Sequence, residues 1–323
     1  MSSRSASDPV AALPYEIGNE LVTALRDALD LGVPRVFTDV ATWAQTALVF
    51  RDTSPAALVR AVDAMRSHVE SYVPARHVAA ARAILGSARQ ELEVVRLADT
   101  SSIDSSTPHG AVSQRYLDAL LEGEEQRGAR EVLLAVANGT KIPDVYEQII
   151  TPVLYETGRL WQRNEISISQ EHVITAAVER MMAQLMDLAP ARPHRDLSVV
   201  SASLGSSQHQ IGARMVADAF ALCGWQATYL GSTVPTYDLL DYIDRISVDV
   251  LALSATLTRD VIPIRDMIAE MTERAVAPMV IVGGRAFNVH PTLWREIGAD
   301  GCATTPLMAV ALANELVTHC DGA

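Results

Sequence analysis

The sequence predicts a mixed chain, α/β plus all-α: an open parallel sheet at the C-terminus, preceded by a helical bundle and a further helical domain. Three observations predict it. Two Pro/Ser/Asp-rich stretches, 98–110 (ADTSSIDSSTPHG) and 189–196 (APARPHRD), lack apolar periodicity and divide the chain into three parts. Apolar residues before the second stretch recur at helical spacing. After it, short apolar runs alternate with helical segments, the pattern of repeated βα units. The expected domains are 1–100 (helical), 111–188 (four-helix bundle) and 197–323 (α/β).

In the first part, Thr53-Ser54-Pro55 offers N-cap candidates and a proline suited to a first helical turn. Leu58, Val62, Met65 and Val69 then follow at helical spacing. An Ala-rich helix is expected over 74–97. Four helices are expected in the second part, at about 114–121, 125–138, 142–162 and 169–188. Ser167 and Gln170 form an S-x-x-Q capping box for the last, whose apolar stripe is Ile174, Val178, Met181 and Leu185. Strands are expected at 197–204, 226–230, 248–253, 279–282 and 301–304. Five βα units give a Rossmann-like, flavodoxin-like sheet with helices on both faces.

Composition narrows the function classes. The chain has 323 residues, 26 basic against 39 acidic, and a formal net charge of -13; Lys141 is its only lysine. Such a surface repels a phosphate backbone, and no helix-turn-helix, zinc-finger or basic-arm pattern is visible, so direct DNA binding is not expected. No apolar run approaches the length of a membrane span, and 1–9 lacks a secretory pattern. Cys223, Cys302 and Cys320 fall at no ligand-like spacing and build no disulfide framework, so a reducing cytoplasm is the expected location.

Ligands of open parallel sheets sit outside the carboxyl ends of the strands. Three features fall there: Ser207-Gln208-His209-Gln210-Ile211-Gly212 after the first strand, Ser254-Ala255-Thr256 after the third, and Gly283-Gly284 after the fourth. Each alone has an ordinary reading. A single histidine after a strand is usually a surface residue, Ser-x-Thr is usually turn chemistry, and Gly-Gly is usually a tight βα turn. Their order and spacing are less ordinary, with 41 residues between Gly212 and Ser254 and 26 between Thr256 and Gly283. In these the chain resembles the cobalamin-binding fold, whose signature is Asp-x-His-x-x-Gly, then Ser-x-Leu, then Gly-Gly.

The resemblance implies that His209 is the lower axial ligand of cobalt, replacing the cofactor's own dimethylbenzimidazole; an imidazole nitrogen suits that metal. It implies a nucleotide tail lined by Gln210, Ile211, Gly212, Ser254, Thr256, Gly283 and Gly284. Gly212 lets the backbone approach the tail, and Ser254 hydrogen-bonds the buried base. Two positions depart from the signature. Ser207 stands where the family has Asp, the carboxylate that would hydrogen-bond the imidazole and raise its basicity. That departure argues against a methyl carrier, whose cobalt cycles between states that gain and lose the lower ligand. Thr256 stands where the family has Leu.

Upstream, Trp161 is followed after nine residues by Glu171-His172, in GRLWQRNEISISQEHV. A core Trp and an acidic helix start are the ordinary reading. Behind a four-helix pattern and ahead of a cobalamin motif, W-x9-EH resembles the bundle of CarH-type cobalamin photoreceptors, over roughly 111–323. The resemblance implies adenosylcobalamin, bound base-off with His209 on cobalt. Trp161 would pack on the adenosyl group, with Glu171 and His172 bordering the same pocket. Light cleaves the cobalt–carbon bond, the adenosyl group leaves, and the Trp161 helix shifts. A homo-oligomer (dimer or tetramer) with light-dependent assembly and a downstream protein partner would follow.

In that family a histidine directly after the Trp can ligate cobalt in the lit state. Here the residue is Gln162, and His172 is the candidate. The N-terminal hundred residues also lack the family's DNA-binding domain. Some relatives, the photocobilins, hold a second, bilin chromophore such as biliverdin, and the absence of a DNA-binding domain is compatible with one here. His68, Arg76 and His77 could meet its propionates, although a solvated helix face is their ordinary reading. The alternatives are a corrinoid methyl carrier of a methyltransferase system and a cobalamin storage protein. A mutase is not expected, because the chain has no room for a substrate barrel.

Overall fold

The computed structural model describes residues 13–51, 53–94, 100–190, 192–205, 208–272 and 277–320. They fall into two compact units, Met1–Ser102 with Tyr155–His172, and Ile103–Leu154 with Val173–Ala323. Among the described residues no helix is long and apolar enough to cross a membrane.

The first unit is helical. It holds α1 (Tyr15–Leu31), α2 (Arg35–Val49), α3 (Pro55–Ser67) and α4 (Val78–Glu91). Leu21, Phe37, Leu48, Leu58, Val62 and Leu85 are fully buried at its core. Pro55 opens α3 as expected, yet no Ser54 side-chain cap forms. The helix stops at Ser67, and Val69 is buried in a separate 3-10 turn, Val69–Ser71. The helix expected over 74–97 begins as a 3-10 turn, Ala75–His77, before α4. Its last residues lie outside the described ones.

The second unit begins with α5 (Pro108–Leu121) and α6 (Glu125–Ala137). α5 starts six residues before the expected 114, because Thr107 caps it: its hydroxyl oxygen accepts the Gly110 N–H at 3.0 Å, and Pro108 suits the first turn. The helix expected over 142–162 is interrupted. It runs as α7 (Ile142–Val145), a π-turn (Tyr146–Ile150) and α8 (Thr151–Gln162), whose residues from Tyr155 on belong to the first unit. α9 (Ile168–Asp187) follows, and its capping box forms, with Gln170 N–H on the Ser167 hydroxyl at 3.2 Å and Ser167 N–H on the Gln170 amide oxygen at 2.9 Å.

The π-turn places Tyr146, fully buried, where its hydroxyl donates to Asp218 at 2.7 Å. Burial raises the Asp218 pKa above its ordinary value. The folded state therefore keeps this proton to higher pH than the unfolded state, and the associated stability is lost as pH rises through the raised pKa. Tyr146→Phe leaves the half-buried carboxylate without that donor. The expected loss is about 1.5–3 kcal/mol at neutral pH, measured by urea denaturation.

Five strands complete the unit: β1 (Ser198–Ser203), β2 (Gln226–Tyr229), β3 (Val250–Ser254), β4 (Met279–Gly283) and β5 (Gly301–Ala303). Between and after them run α10 (Ile211–Leu222), α11 (Thr236–Ile246), α12 (Val261–Met271), the short α13 (Arg285–Val289) and α14 (Leu293–Glu296), and α15 (Pro306–Cys320). All pairings are parallel, in the order β2-β1-β3-β4-β5. This is the Rossmann-like, flavodoxin-like sheet expected from sequence. Val199, Val250, Ala252 and Ile281 join Phe220 and Trp225 in one core cluster, those two rings meeting edge-on at 5.0 Å. At the opposite end of the strands from the motifs, Asp249 accepts the Ser198 N–H and Asp300 the Val280 N–H, both at 2.7 Å. The strand order reverses between β1 and β3, so the crevice for a ligand opens at their carboxyl ends.

Candidate cofactor site

Register puts the three motif regions side by side. Ser203, the last residue of β1, pairs with Ser254, the last of β3, which pairs with Gly283, the last of β4. The loop leaving β1 carries His209, whose residue is exposed at the crevice. The Ser203 hydroxyl donates to the His209 carbonyl at 3.1 Å. Gln210 precedes α10, and its carbonyl accepts the Tyr229 hydroxyl at 3.3 Å. Its side-chain amide donates to Glu179 of α9 at 2.8 Å, and the Ser232 hydroxyl donates to its amide oxygen at 3.4 Å. Ile211 starts α10 and is buried. Ser207 lies outside the described residues, so its departure from the family signature has no structural account.

Burial, with the charges of Glu179 and Asp218 adding to it, pushes the Tyr229 phenol up to about 12, so it stays a neutral donor to the loop. Asp260 is buried beside the same loop, where a Cβ on Gly205 would stand 2.8 Å from its Oδ1.

Around Ser254 the chain is stripped of side chains. Its residue is 8% exposed, and its Oγ would be 3.1 Å from a Cβ on Gly212 and 3.0 Å from one on Gly284. A Cβ on Gly283 would meet the Ala303 carbonyl at 2.6 Å. The Gly-Gly pair therefore serves the close approach of neighbouring backbone segments. Gly212 faces only the serine hydroxyl and is itself exposed. Thr256 is half-buried two residues beyond Ser254. The structure thus brings His209, Gln210, Ile211, Gly212, Ser254, Thr256, Gly283 and Gly284 to the carboxyl ends of β1, β3 and β4.

Trp161, Glu171 and His172 belong to the other compact unit. There the Trp161 ring stacks on Trp43 of α2, with centroids 6.0 Å apart and an interplanar angle of 26°. Arg51 donates to the Gln162 carbonyl at 3.0 Å and lies 5.8 Å from the Trp161 ring centre. The Gln162 amide donates to the Trp43 carbonyl at 3.2 Å. So the residue standing where the family has histidine ties the end of α8 to the N-terminal helices. His172 Nδ1 pairs with the Glu171 carboxylate at 2.6 Å, which makes Nε2 the nitrogen suited to a metal. Sequence reasoning did not find Trp43, Arg51, Glu179, Ser203, Tyr229 or Ser232. None carries a motif, and each acts through a tertiary contact.

A corrin supplies four ring nitrogens to its cobalt, so the protein needs to add only one. Among the described residues no group of three His, Cys, Asp or Glu stands together. An exposed imidazole beside a floor of small residues and a largely buried serine hydroxyl fits a ring-borne cobalt and an inserted nucleotide tail.

Comparison with known proteins agrees with that fit. Residues 197–311 match the B12 binding domain, and residues 112–186 match a second B12 binding domain family. The HTH-type transcriptional repressor CarH of Myxococcus xanthus is 22% identical over 202 residues, spanning 62% of this chain and 67% of the repressor. A corrinoid protein of Desulfitobacterium hafniense is 25% identical over 211 residues, spanning 62% of this chain and 94% of its own length. The solved monomethylamine corrinoid protein of Methanosarcina barkeri shares the fold, with a TM-score of 0.55 at 20% identity, covering 64% of this chain and 98% of that one. The two segments 112–186 and 197–311 thus match B12 binding domains, which supports cobalamin binding by this chain.

Proposed function

We propose that this protein is a light-sensing regulatory protein that binds adenosylcobalamin base-off, with His209 as the lower cobalt ligand. The observation that carries the reading is the setting of Trp161. The tryptophan of the W-x9-EH pattern is gripped by Trp43 and Arg51 of the N-terminal helices. A residue so held can pass a change in its surroundings to the N-terminal helices packed against it. The match to CarH adds support.

When bound, adenosylcobalamin supplies a weak cobalt–carbon bond that absorbs visible light. His209 would hold the cobalt through an imidazole nitrogen. Gln210, Ile211, Gly212, Ser254, Thr256, Gly283 and Gly284 line the nucleotide tail, with the Ser254 hydroxyl as the polar contact. By the resemblance of W-x9-EH, Trp161 would shield the adenosyl group from water, with Glu171 and His172 as polar contacts. A change at the upper face of the cofactor would reach the N-terminal helices through Trp161 and its stacking on Trp43. The readout is a change in self-assembly, as dimer or tetramer, or in contact with a downstream protein in the cytoplasm.

The test is the absorption spectrum of protein loaded with adenosylcobalamin before and after green light, with sizing chromatography on both samples. Photolysis and a shift in elution are expected. Trp161→Ala should keep the corrinoid, lose selectivity for the adenosyl form and lose the elution shift. An unchanged spectrum at a light dose that photolyses free cofactor sinks the reading.

A second reading, a corrinoid methyl carrier, is favoured by the corrinoid proteins, which match this chain across 94% or more of their own length in the cases above. Those matches reach under two thirds of this chain and offer no counterpart to the rest. Methyl transfer from the methylcobalamin-loaded protein to homocysteine or another thiol, or to tetrahydrofolate, with a partner methyltransferase present, would establish it.

A further inference from the structure

His209 sits in an exposed loop, and a cobalt ligand in such a loop needs its peptide held within about half an ångström of the productive geometry. Three backbone contacts do part of this. The Ser203 hydroxyl holds the His209 carbonyl, the Tyr229 hydroxyl holds the Gln210 carbonyl, and the Gln210 N–H bonds the Gln208 carbonyl at 2.9 Å. Ser203 and Tyr229 both belong to the sheet. The Gln210 side chain reaches elsewhere, to Glu179 in the middle of α9.

We propose that Glu179 is a positioning residue for the cobalt ligand: it holds the Gln210 side chain and thereby fixes the peptide that carries the His209 imidazole. The inference rests on the assignment of His209 as that ligand. A carboxylate only accepts, so it forces the Gln210 NH2 group toward α9 and leaves the amide oxygen for the Ser232 hydroxyl. Both bonds then agree on one amide orientation. The bond to Glu179 is charge-assisted and is the shorter of the two. Gln210 and Glu179 are both half-buried, which limits competition from water. The Gln210 peptide is bonded directly to the His209 peptide, so freeing this side chain frees the ligand's own backbone.

The experiment uses the full chain labelled with 15N-histidine and loaded with cob(II)alamin, read by electron paramagnetic resonance, with binding titrations alongside. Wild type is expected to show the doublet splitting of one axial 15N. Glu179→Leu should lose most of that doublet and weaken cobalamin binding about tenfold or more, as outer-shell partners of metal ligands do. Glu179→Gln keeps an acceptor of the same reach and should retain the doublet. Gln210→Met removes the donor from the other end, and the double variant should be no worse than either single one. This second variant keeps the test valid if Glu179→Leu fails to fold. A role in stability alone would lower the melting temperature while leaving the axial nitrogen in place, and that result overturns the inference. Equal loss in Glu179→Gln and Glu179→Leu also overturns it. Absence of the doublet in wild type refutes the His209 assignment itself, and this inference falls with it.

Discussion

Replacing His209 with alanine is expected to remove the axial nitrogen from bound cobalamin while leaving the fold intact. His209 is exposed in a loop between Ser203 and α10, so its imidazole contributes no core packing. Exposed substitutions away from caps and networks usually change stability by about 0.5 kcal/mol or less. The His209 carbonyl that accepts the Ser203 hydroxyl survives the change, and so does the grip on Gln210. Loss of an outer-shell partner typically weakens a metal site by about 10–100-fold, and loss of the ligand itself should cost at least as much. The measurements are the melting temperature of the apoprotein, the cobalamin dissociation constant, and the 15N splitting of labelled protein with cob(II)alamin. Added imidazole should restore part of the axial signature. A retained His-on spectrum in the alanine variant would show that another group holds the cobalt.

The sheet that carries this site was legible because a buried parallel strand writes itself as a short apolar run. Val250 to Leu253 and Val280 to Val282 are such runs, and the structure buries all of them. The motif residues were legible for a related reason: fixed strand register turns spacing in sequence into adjacency in space, so Ser203, Ser254 and Gly283 align. What lay beyond the sequence was chemistry made by packing. Trp43 and Trp161 are far apart in the chain and share no pattern. Glu179 reads as an ordinary polar position on an amphipathic helix, and nothing local says that it meets Gln210. The π-turn at Tyr146–Ile150 adds a residue to one helical turn without breaking the apolar spacing, so periodicity reads straight through it. The early start of α5 was hidden for the opposite reason. Its Ser- and Pro-rich entry reads as linker until Thr107 is seen to cap it.

Gly284→Ala separates what the Gly-Gly pair does for folding from what it does for the cofactor. Gly284 has φ 94° and ψ 176°, a region that only glycine enters readily. Backbone strain alone should cost about 1–3 kcal/mol. A Cβ there would also lie 2.5 Å from the Ala255 carbonyl oxygen, a backbone atom that cannot rotate away, and 3.0 Å from Ser254 Oγ. The ends of β3 and β4 must move apart to admit it, which disturbs the Ala255 N–H bond to the Gly283 carbonyl at 3.0 Å. Gly284→Ala should therefore lower the stability of the apoprotein by more than the strain term and abolish cobalamin binding, because Ser254 is displaced at the same time. Gly212→Ala is the contrasting case. Its φ imposes no demand for glycine, and its Cβ would meet only the Ser254 hydroxyl, at 3.1 Å. That variant should fold with nearly wild-type stability and still bind cobalamin more weakly, because the methyl group occupies space beside Ser254 at the mouth of the crevice. Urea denaturation and cobalamin titration of both variants give the comparison. If Gly212→Ala binds as tightly as wild type, the tail does not pass beside Ser254, and the glycines at this edge serve the packing of the sheet alone.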